Sequence, residues 1–145
     1  MQSDIVIRPA TISDAPRICK INRDSLGYDF PPDKTKARLS LVLASADCVL
    51  VACCGSEAVG YIHGSSYECV YCDPLKNIVA LAVDPAHRHL GIGRMLLSAL
   101  EDWAQSEGCA GVRLVSGFER QKAHQFYLHC GYMHRKDQKN FIKLF

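Results

Sequence analysis

No apolar run in these 145 residues approaches the ~20 that a membrane-crossing helix needs. The start, Met1-Gln2-Ser3-Asp4, carries no basic stretch followed by an apolar one. A membrane protein and an exported one are thereby disfavoured, and a cytoplasmic location is expected. Charge of one sign is lacking too, since 17 Lys and Arg against 15 Asp and Glu leave a formal net charge of +2. The basic residues are scattered apart from a short cluster at Arg135, Lys136, Lys139 and Lys143, so neither a nucleic-acid nor a membrane partner is expected. Repeats, linkers and low-complexity tracts are absent, which leaves one domain over residues 1–145.

Cysteine, by contrast, is plentiful at eight. Cys69-Val70-Tyr71-Cys72 has the spacing of half a zinc site or of a redox pair, but a second Cys-x-x-Cys and a His-x-x-x-His are both missing. The thiols therefore read as reduced, most of them small core residues in a reducing compartment, and no metal is expected. A site built from Cys69, Cys72 and His63, in a zinc-dependent regulator, stands as the alternative ranked last.

The order of elements follows from periodicity and breakers. Ile5 to Pro9 reads as a strand, Thr11 to Asp14 as helix caps, and a helix should run to Leu26 before Gly27-Tyr28-Asp29-Phe30-Pro31-Pro32 breaks it. A second helix is expected over 32–44. Cys48 to Cys53 and Ala58 to His63 flank Gly55-Ser56-Glu57 as a hairpin, apolar enough for burial on both faces. A strand over 77–83, a helix to Glu107, a strand over 112–116 and a helix from Arg120 to His129 follow. Tyr132 to Arg135 and Phe141 to Leu144 read as a closing hairpin. The sum is an α/β (α+β) chain, one mixed twisted sheet with helices on both faces.

The segment Leu81-Ala82-Val83-Asp84-Pro85-Ala86-His87-Arg88-His89-Leu90-Gly91-Ile92-Gly93-Arg94 places a glycine loop between a strand and a helix. Gly91 and Gly93 let backbone N–H groups approach a ligand, and the helix start offers unpaired N–H groups and a positive dipole end, so a diphosphate is the natural guest. Arg88 and Arg94 flank it with guanidinium groups suited to phosphate. A P-loop would need Gly-Lys-Ser/Thr where Gly93-Arg94-Met95 stands, and a dinucleotide fingerprint would need glycine at Leu96. What remains, Arg-x-x-Gly-x-Gly, resembles the pyrophosphate loop of the GNAT (Gcn5-related N-acetyltransferase) superfamily, and the order of elements is similar along nearly the whole chain.

That resemblance implies the GNAT fold and an acetyl-coenzyme A dependent N-acetyltransferase, with a direct transfer to a primary amine of a small molecule. It implies that Leu81, Ala82 and Val83 pair through their backbone with the pantetheine arm and that Arg88, His89, Leu90, Gly91, Ile92, Gly93 and Arg94 hold the pyrophosphate. Ala123 to Tyr132 is similar to the second GNAT signature, in which Tyr127 matches the tyrosine that acts as general acid. Its competing reading is a core aromatic beside Phe126. Homodimerisation is common in the fold and is carried over as an expectation.

The chain departs from the family twice. The strand before the loop reads Asn77-Ile78-Val79-Ala80-Leu81 without the usual glutamate, and Arg120 stands where an asparagine is frequent. The general base is left open between Glu68, Asp73, His63 and a water chain, with Glu68 preferred. His124 reads as a surface residue with a second proton carrier as its alternative, and a covalent relay through Cys130 is disfavoured for want of a base. Tyr28 and Phe30, with Asp29, are the candidate acceptor contacts, their rings and carboxylate suiting a small cationic amine. A non-catalytic acyl-coenzyme A sensor is the alternative function.

Overall fold

The computed structural model describes residues 4–145, and the part of the leader reading that falls on Met1 to Ser3 lies outside them. They divide into two units between Leu114 and Val115. In the first unit, β1 (Ile5–Pro9), β2 (Cys48–Cys54), β3 (Glu57–Tyr67), β4 (Leu75–Val83) and β5 (Gly111–Leu114) form one sheet in that order. The first three pairings are antiparallel and β4–β5 is parallel, so the expected mixed sheet is present. The helices α1 (Ala15–Ile21) and α2 (Pro32–Leu43) cover one face, and α3 (Ile92–Ser106) covers the other.

Each face has its own core. Ile18, Ile21 and Leu39 pack with Val49, Val51, Tyr61 and Ala82, whereas Ile92, Leu96, Leu97 and Leu100 form the fully buried stripe of α3. β3 runs four residues beyond the expected His63, through Gly64-Ser65-Ser66-Tyr67. Gly-Ser-Ser resembles a turn, but glycine is required here by α3: a Cβ on Gly64 would lie 2.6 Å from Leu100 Cδ1 and 3.0 Å from the Trp103 ring. Gly60, one α3-facing pair earlier, would meet Ile92 and Leu96 at 3.2 Å. Glycine inside this strand therefore marks a close helix approach.

β4 carries an irregularity that positions the site. His63 pairs with Ala80 and Gly64 with Ile78, so Val79 is an extra residue, a β-bulge. Side-chain direction changes phase there. Ala80 and Ala82 share the α1/α2 side with His63 and Tyr61, while Ile78 and Lys76 point toward α3, where the Lys76 ammonium lies 4.2 Å over the Trp103 ring and 2.7 Å from Glu107 Oε1. β5 pairs with β4 only from Leu75 to Ile78, so Val79 to Val83 have no β5 partner.

The first helix is anchored by Asp14. Its carboxylate accepts two bonds from Arg8 at 2.8 Å and one from Thr11 N at 2.8 Å. The Arg8 guanidinium, then the Thr11 backbone N–H, hold its pKa below the usual carboxylate value against the opposing cost of burial. A depressed folded value means that this stabilisation is complete above the unfolded carboxylate range and is lost as pH falls through the folded value. Asp14→Asn is therefore expected to cost about 1 to 2 kcal/mol at neutral pH, a charged hydrogen bond discounted for the water-exposed Arg8. Urea titrations at pH 7 and in acid should converge for the two proteins as pH drops; a constant gap would exclude the ionised carboxylate as the cause.

After α1 the chain widens into a π-turn, Asn22–Leu26, closed by Gly27 at φ +76°. The expected α-helix to Leu26 is corrected here, because the Gly27 N–H bonds Asn22 O five residues back, and Tyr28 N reaches the same carbonyl at 3.1 Å. The second unit contains α4 (Gln121–His129), ended by Gly131 at φ +90°. The closing hairpin expected over 132–135 and 141–144 is not formed among the described residues. Two four-residue strands separated by Lys136 to Asn140 make an isolated hairpin that pairing alone stabilises poorly. Met133, Phe141, Ile142, Leu144 and Phe145 are exposed instead. No helix among the described residues is long and apolar enough to cross a membrane.

Candidate active site

The glycine loop forms as the sequence indicates. β4 ends at Val83, and Asp84 caps the following 3-10 turn by accepting from Ala86 N at 3.2 Å. Arg17 of α1 pins this corner, donating to Asp84 Oδ2 at 3.2 Å and to Ala58 O at 2.9 Å. Burial alone would raise the Asp84 pKa, but the Ala86 N–H and Arg17 outweigh it and hold the group below the usual value. His89 at φ +66° and Gly91 at φ +78° then turn the chain twice in the left-handed sense. Gly91 is the N-cap of α3 without a side-chain cap bond, which leaves the first N–H groups of a 15-residue helix available.

Arg88, His89, Leu90, Gly91 and Arg94 are exposed around this turn, and a Cβ at Gly91 would meet only open space. Ile92 departs from the others because its side chain is buried against Gly60, so only its main chain faces a ligand. These features fit a diphosphate: orphan N–H groups at a helix start, open space above them and two guanidinium groups beside them. Leu81 to Val83, whose β5 side is unpaired, lead into the loop and offer strand-like pairing to an extended amide-bearing arm.

The α1/α2 side of β3 carries Tyr61, His63, Ser65 and Tyr67 in alternation, opposite the α3-facing Gly60, Ile62 and Gly64. Above Tyr61 and His63 lies a cleft of about 160 Å³, lined also by Asn22, Phe30, Thr35 and Arg38. It suits one arm of a ligand rather than a whole drug-sized molecule. Tyr61 donates a short hydrogen bond to Asn22 Oδ1, and burial pushes its pKa up to about 12, so it remains a neutral phenol. His63 Nε2 lies 2.9 Å from Asp47 Oδ2. A carboxylate on Nε2 fixes the proton there and leaves Nδ1 as the acceptor nitrogen.

The other acceptor candidates are only partly gathered. Phe30 lines the cleft, Tyr28 follows the π-turn as an exposed ring, and Glu68 is exposed on the connection after β3. Cys69, Cys72 and His63 do not gather: no three His, Cys, Asp or Glu side chains among the described residues can hold a metal ion. None of the eight cysteines is in a disulfide among the described residues. Asp47, Asn22 and Arg113 escaped the reading of motifs. Only the alternation along β3, carried through its glycines, could have pointed to that polar face.

Tyr127 lies in the second unit, on α4. Its ring meets Phe126 edge-on at 5.2 Å and Tyr132 at 5.8 Å. Burial pushes its pKa up to about 12, with Arg120 opposing. His124 donates its Nε2–H to Gly117 O at 2.9 Å, because a carbonyl oxygen only accepts.

Residues 15–132 match the model of the Acetyltransferase (GNAT) family. Aminoglycoside N(6')-acetyltransferase type 1 of Stenotrophomonas maltophilia is 28% identical over 137 residues, covering 87% of this chain and 84% of that protein. Among solved structures, aminoglycoside N-acetyltransferase AAC(6')-Iy in complex with CoA superposes at a TM-score of 0.86, with 18% identity, over 99% of this chain and 97% of that one. The apo aminoglycoside 6'-N-acetyltransferase of Acinetobacter haemolyticus superposes at 0.83, with 19% identity, over 97% and 99%.

Proposed function

The chain belongs to the GNAT family of acetyltransferases, and from that membership we propose how its own residues serve acetyl transfer from acetyl-coenzyme A to the amine of a small molecule. The observation that carries the assignment is the course of β4, which outruns β5 by five residues and ends in the glycine loop at the α3 N-terminus. In this reading Leu81, Ala82 and Val83 align the pantetheine arm. Arg88, His89, Leu90, Gly91, Ile92, Gly93 and Arg94 hold the pyrophosphate, Ile92 and the glycines through backbone N–H groups alone. The cosubstrate supplies an activated acetyl thioester.

The acceptor amine enters over the polar face of β3, with Phe30 and Tyr28 at its mouth. The base is His63 rather than the preferred Glu68. His63 stands opposite Ala80, beside the strand that leads to the loop, and Asp47 orients its ring. Glu68 is exposed and lies five positions farther along, beyond the end of β3. His63 Nδ1 takes the proton that an ammonium must lose before its nitrogen can attack, and Tyr127 Oη holds the proton that a departing thiol requires. The reading takes residues 1–145 as one catalytic domain of a cytoplasmic enzyme that assembles as a homodimer.

The deciding experiment is calorimetric titration of the reduced protein with acetyl-coenzyme A, coenzyme A and ATP, followed by thiol release across an amine panel. Both coenzyme A forms should bind and ATP should not. Binding without turnover of any amine would return the chain to the role of an acyl-coenzyme A sensor, and no binding would remove the loop assignment.

A further inference from the structure

Two cations occupy neighbouring register positions of β4 and β5 on opposite faces of the sheet, and only one of them is neutralised. Lys76 faces α3 and is paired with Glu107 at 2.7 Å, with Ser66 Oγ at 3.1 Å. Arg113 of β5 lies opposite Asn77, which lies opposite Ser65 of the polar face. Its Nη1 donates to Asn77 Oδ1 at 2.6 Å, and the guanidinium carbon stacks 4.3 Å over the Tyr67 ring. Its Nε is shielded from solvent without a hydrogen-bond partner, and Arg113 makes no ion pair among the described residues. A half-buried guanidinium fork, oriented by an amide and an aromatic ring yet short of an anion, is a preformed partner for a carboxylate.

Position decides which anion. Asn77, the register partner of Arg113, stands six residues before Val83, about 20 Å along an extended strand, too far to share the diphosphate of the glycine loop. Asn77 stands only three residues before Ala80, the partner of His63, about 10 Å at most. An anion at Arg113 therefore belongs to the acceptor. With Arg38 in the lining of the cleft, Arg113 makes the acceptor side cationic, which matches a negative charge on the acceptor. The same face, made of Tyr61, His63, Ser65, Tyr67, Asn77 and Arg113, contains no carboxylate, and Asp47 is engaged by His63. A polycationic amine would find no counter-charge on it and would meet Arg113 as a like charge.

We propose that Arg113, held by Asn77 and Tyr67, is the carboxylate subsite of the acceptor, so that the enzyme acetylates a compact amine bearing a carboxylate, an amino acid or a short derivative. This rests on the reading of the polar face as the acceptor side. It separates the chain from relatives whose names specify aminoglycosides.

The test compares amines that differ only in the carboxylate: tyrosine with tyramine, ornithine with putrescine, and glutamate with 4-aminobutyrate, which keeps one. Kanamycin serves as the polycation and phosphoethanolamine as the phosphoryl arm. Thiol release from acetyl-coenzyme A gives kcat/KM, and calorimetry on the coenzyme A complex gives affinity without turnover. At least one carboxylate-bearing amine should be favoured tenfold or more over its decarboxylated partner, mainly through KM. Arg113→Gln should erase that ratio, and Arg113→Lys should restore part of it, with coenzyme A affinity and thermal midpoint unchanged. Turnover of tyramine, putrescine, kanamycin or phosphoethanolamine at equal or higher efficiency overturns the subsite while leaving acetyl transfer standing. Equal losses for all amines in Arg113→Gln, or no carboxylate compound that binds or reacts, overturn it as well. A failure of coenzyme A to bind would count against the acetyltransferase reading alone.

Discussion

Tyr127→Phe is expected to lower kcat by about 10²- to 10⁴-fold, the usual contribution of a positioned acid, while coenzyme A affinity stays within about twofold. The substitution removes one oxygen and keeps the ring, so the contacts with Phe126 and Tyr132 survive. A phenol whose pKa burial pushes up to about 12 stays protonated throughout the working range, which an acid must do. Raising a folded tyrosine pKa favours the neutral form, so the wild-type rate should hold level on the alkaline side until close to that value. Stopped-flow thiol release for both proteins at several pH values provides the check. Unchanged kcat in the phenylalanine variant would leave Tyr127 as a packing residue only.

The second large effect belongs to His63. His63→Gln, which keeps a polar side chain in the cleft but cannot hold a proton, should reduce kcat/KM by about 10²-fold or more. Asp47→Asn acts one step away. It keeps the size of the side chain but removes the charge that fixes the proton on Nε2, so a loss of about tenfold is expected, the scale seen when an orienting partner is removed. Glu68→Gln is the control and should change little. An unchanged kcat/KM in His63→Gln would move the base elsewhere.

The glycine loop was legible because its signal is local. Arg88, Gly91, Gly93 and the apolar strand before them lie within one short stretch, and the chemistry of a helix start follows from backbone alone. The mixed sheet was legible from element order. What escaped depended on contacts far apart in sequence. Gly64-Ser65-Ser66 looks like a turn until α3 is laid against it, and the extra residue at Val79 has no composition to mark it. Asp47 acquires meaning only when β3 brings His63 to it, and Arg113 only when β5 brings it to Asn77 and Tyr67. The terminal hairpin was an error of the opposite kind. Phe141 to Leu144 have the composition of a strand, but composition cannot supply a neighbour.

The phase change at Val79 also limits how this strand can evolve. Alternation is an either-or code, and the bulge rewrites it midway, so positions 77, 80 and 82 face the α1/α2 side while 76 and 78 are committed to the α3 core. A carboxylate recruited by mutation could approach the cleft from Asn77 or Ala80 by a change of one side chain, whereas Ala82 is sealed in the α1/α2 core. From Lys76 or Ile78 the same change would bury a charge under Trp103 and Leu100 instead. Were Val79 paired regularly instead of bulged, Ala80 and Ala82 would fall with Lys76 and Ile78 on the α3 side, and Leu81 and Val83 would take their places on the other. The repertoire of new catalytic groups open to β4 is thus set by one inserted residue whose own side chain takes no part in the chemistry.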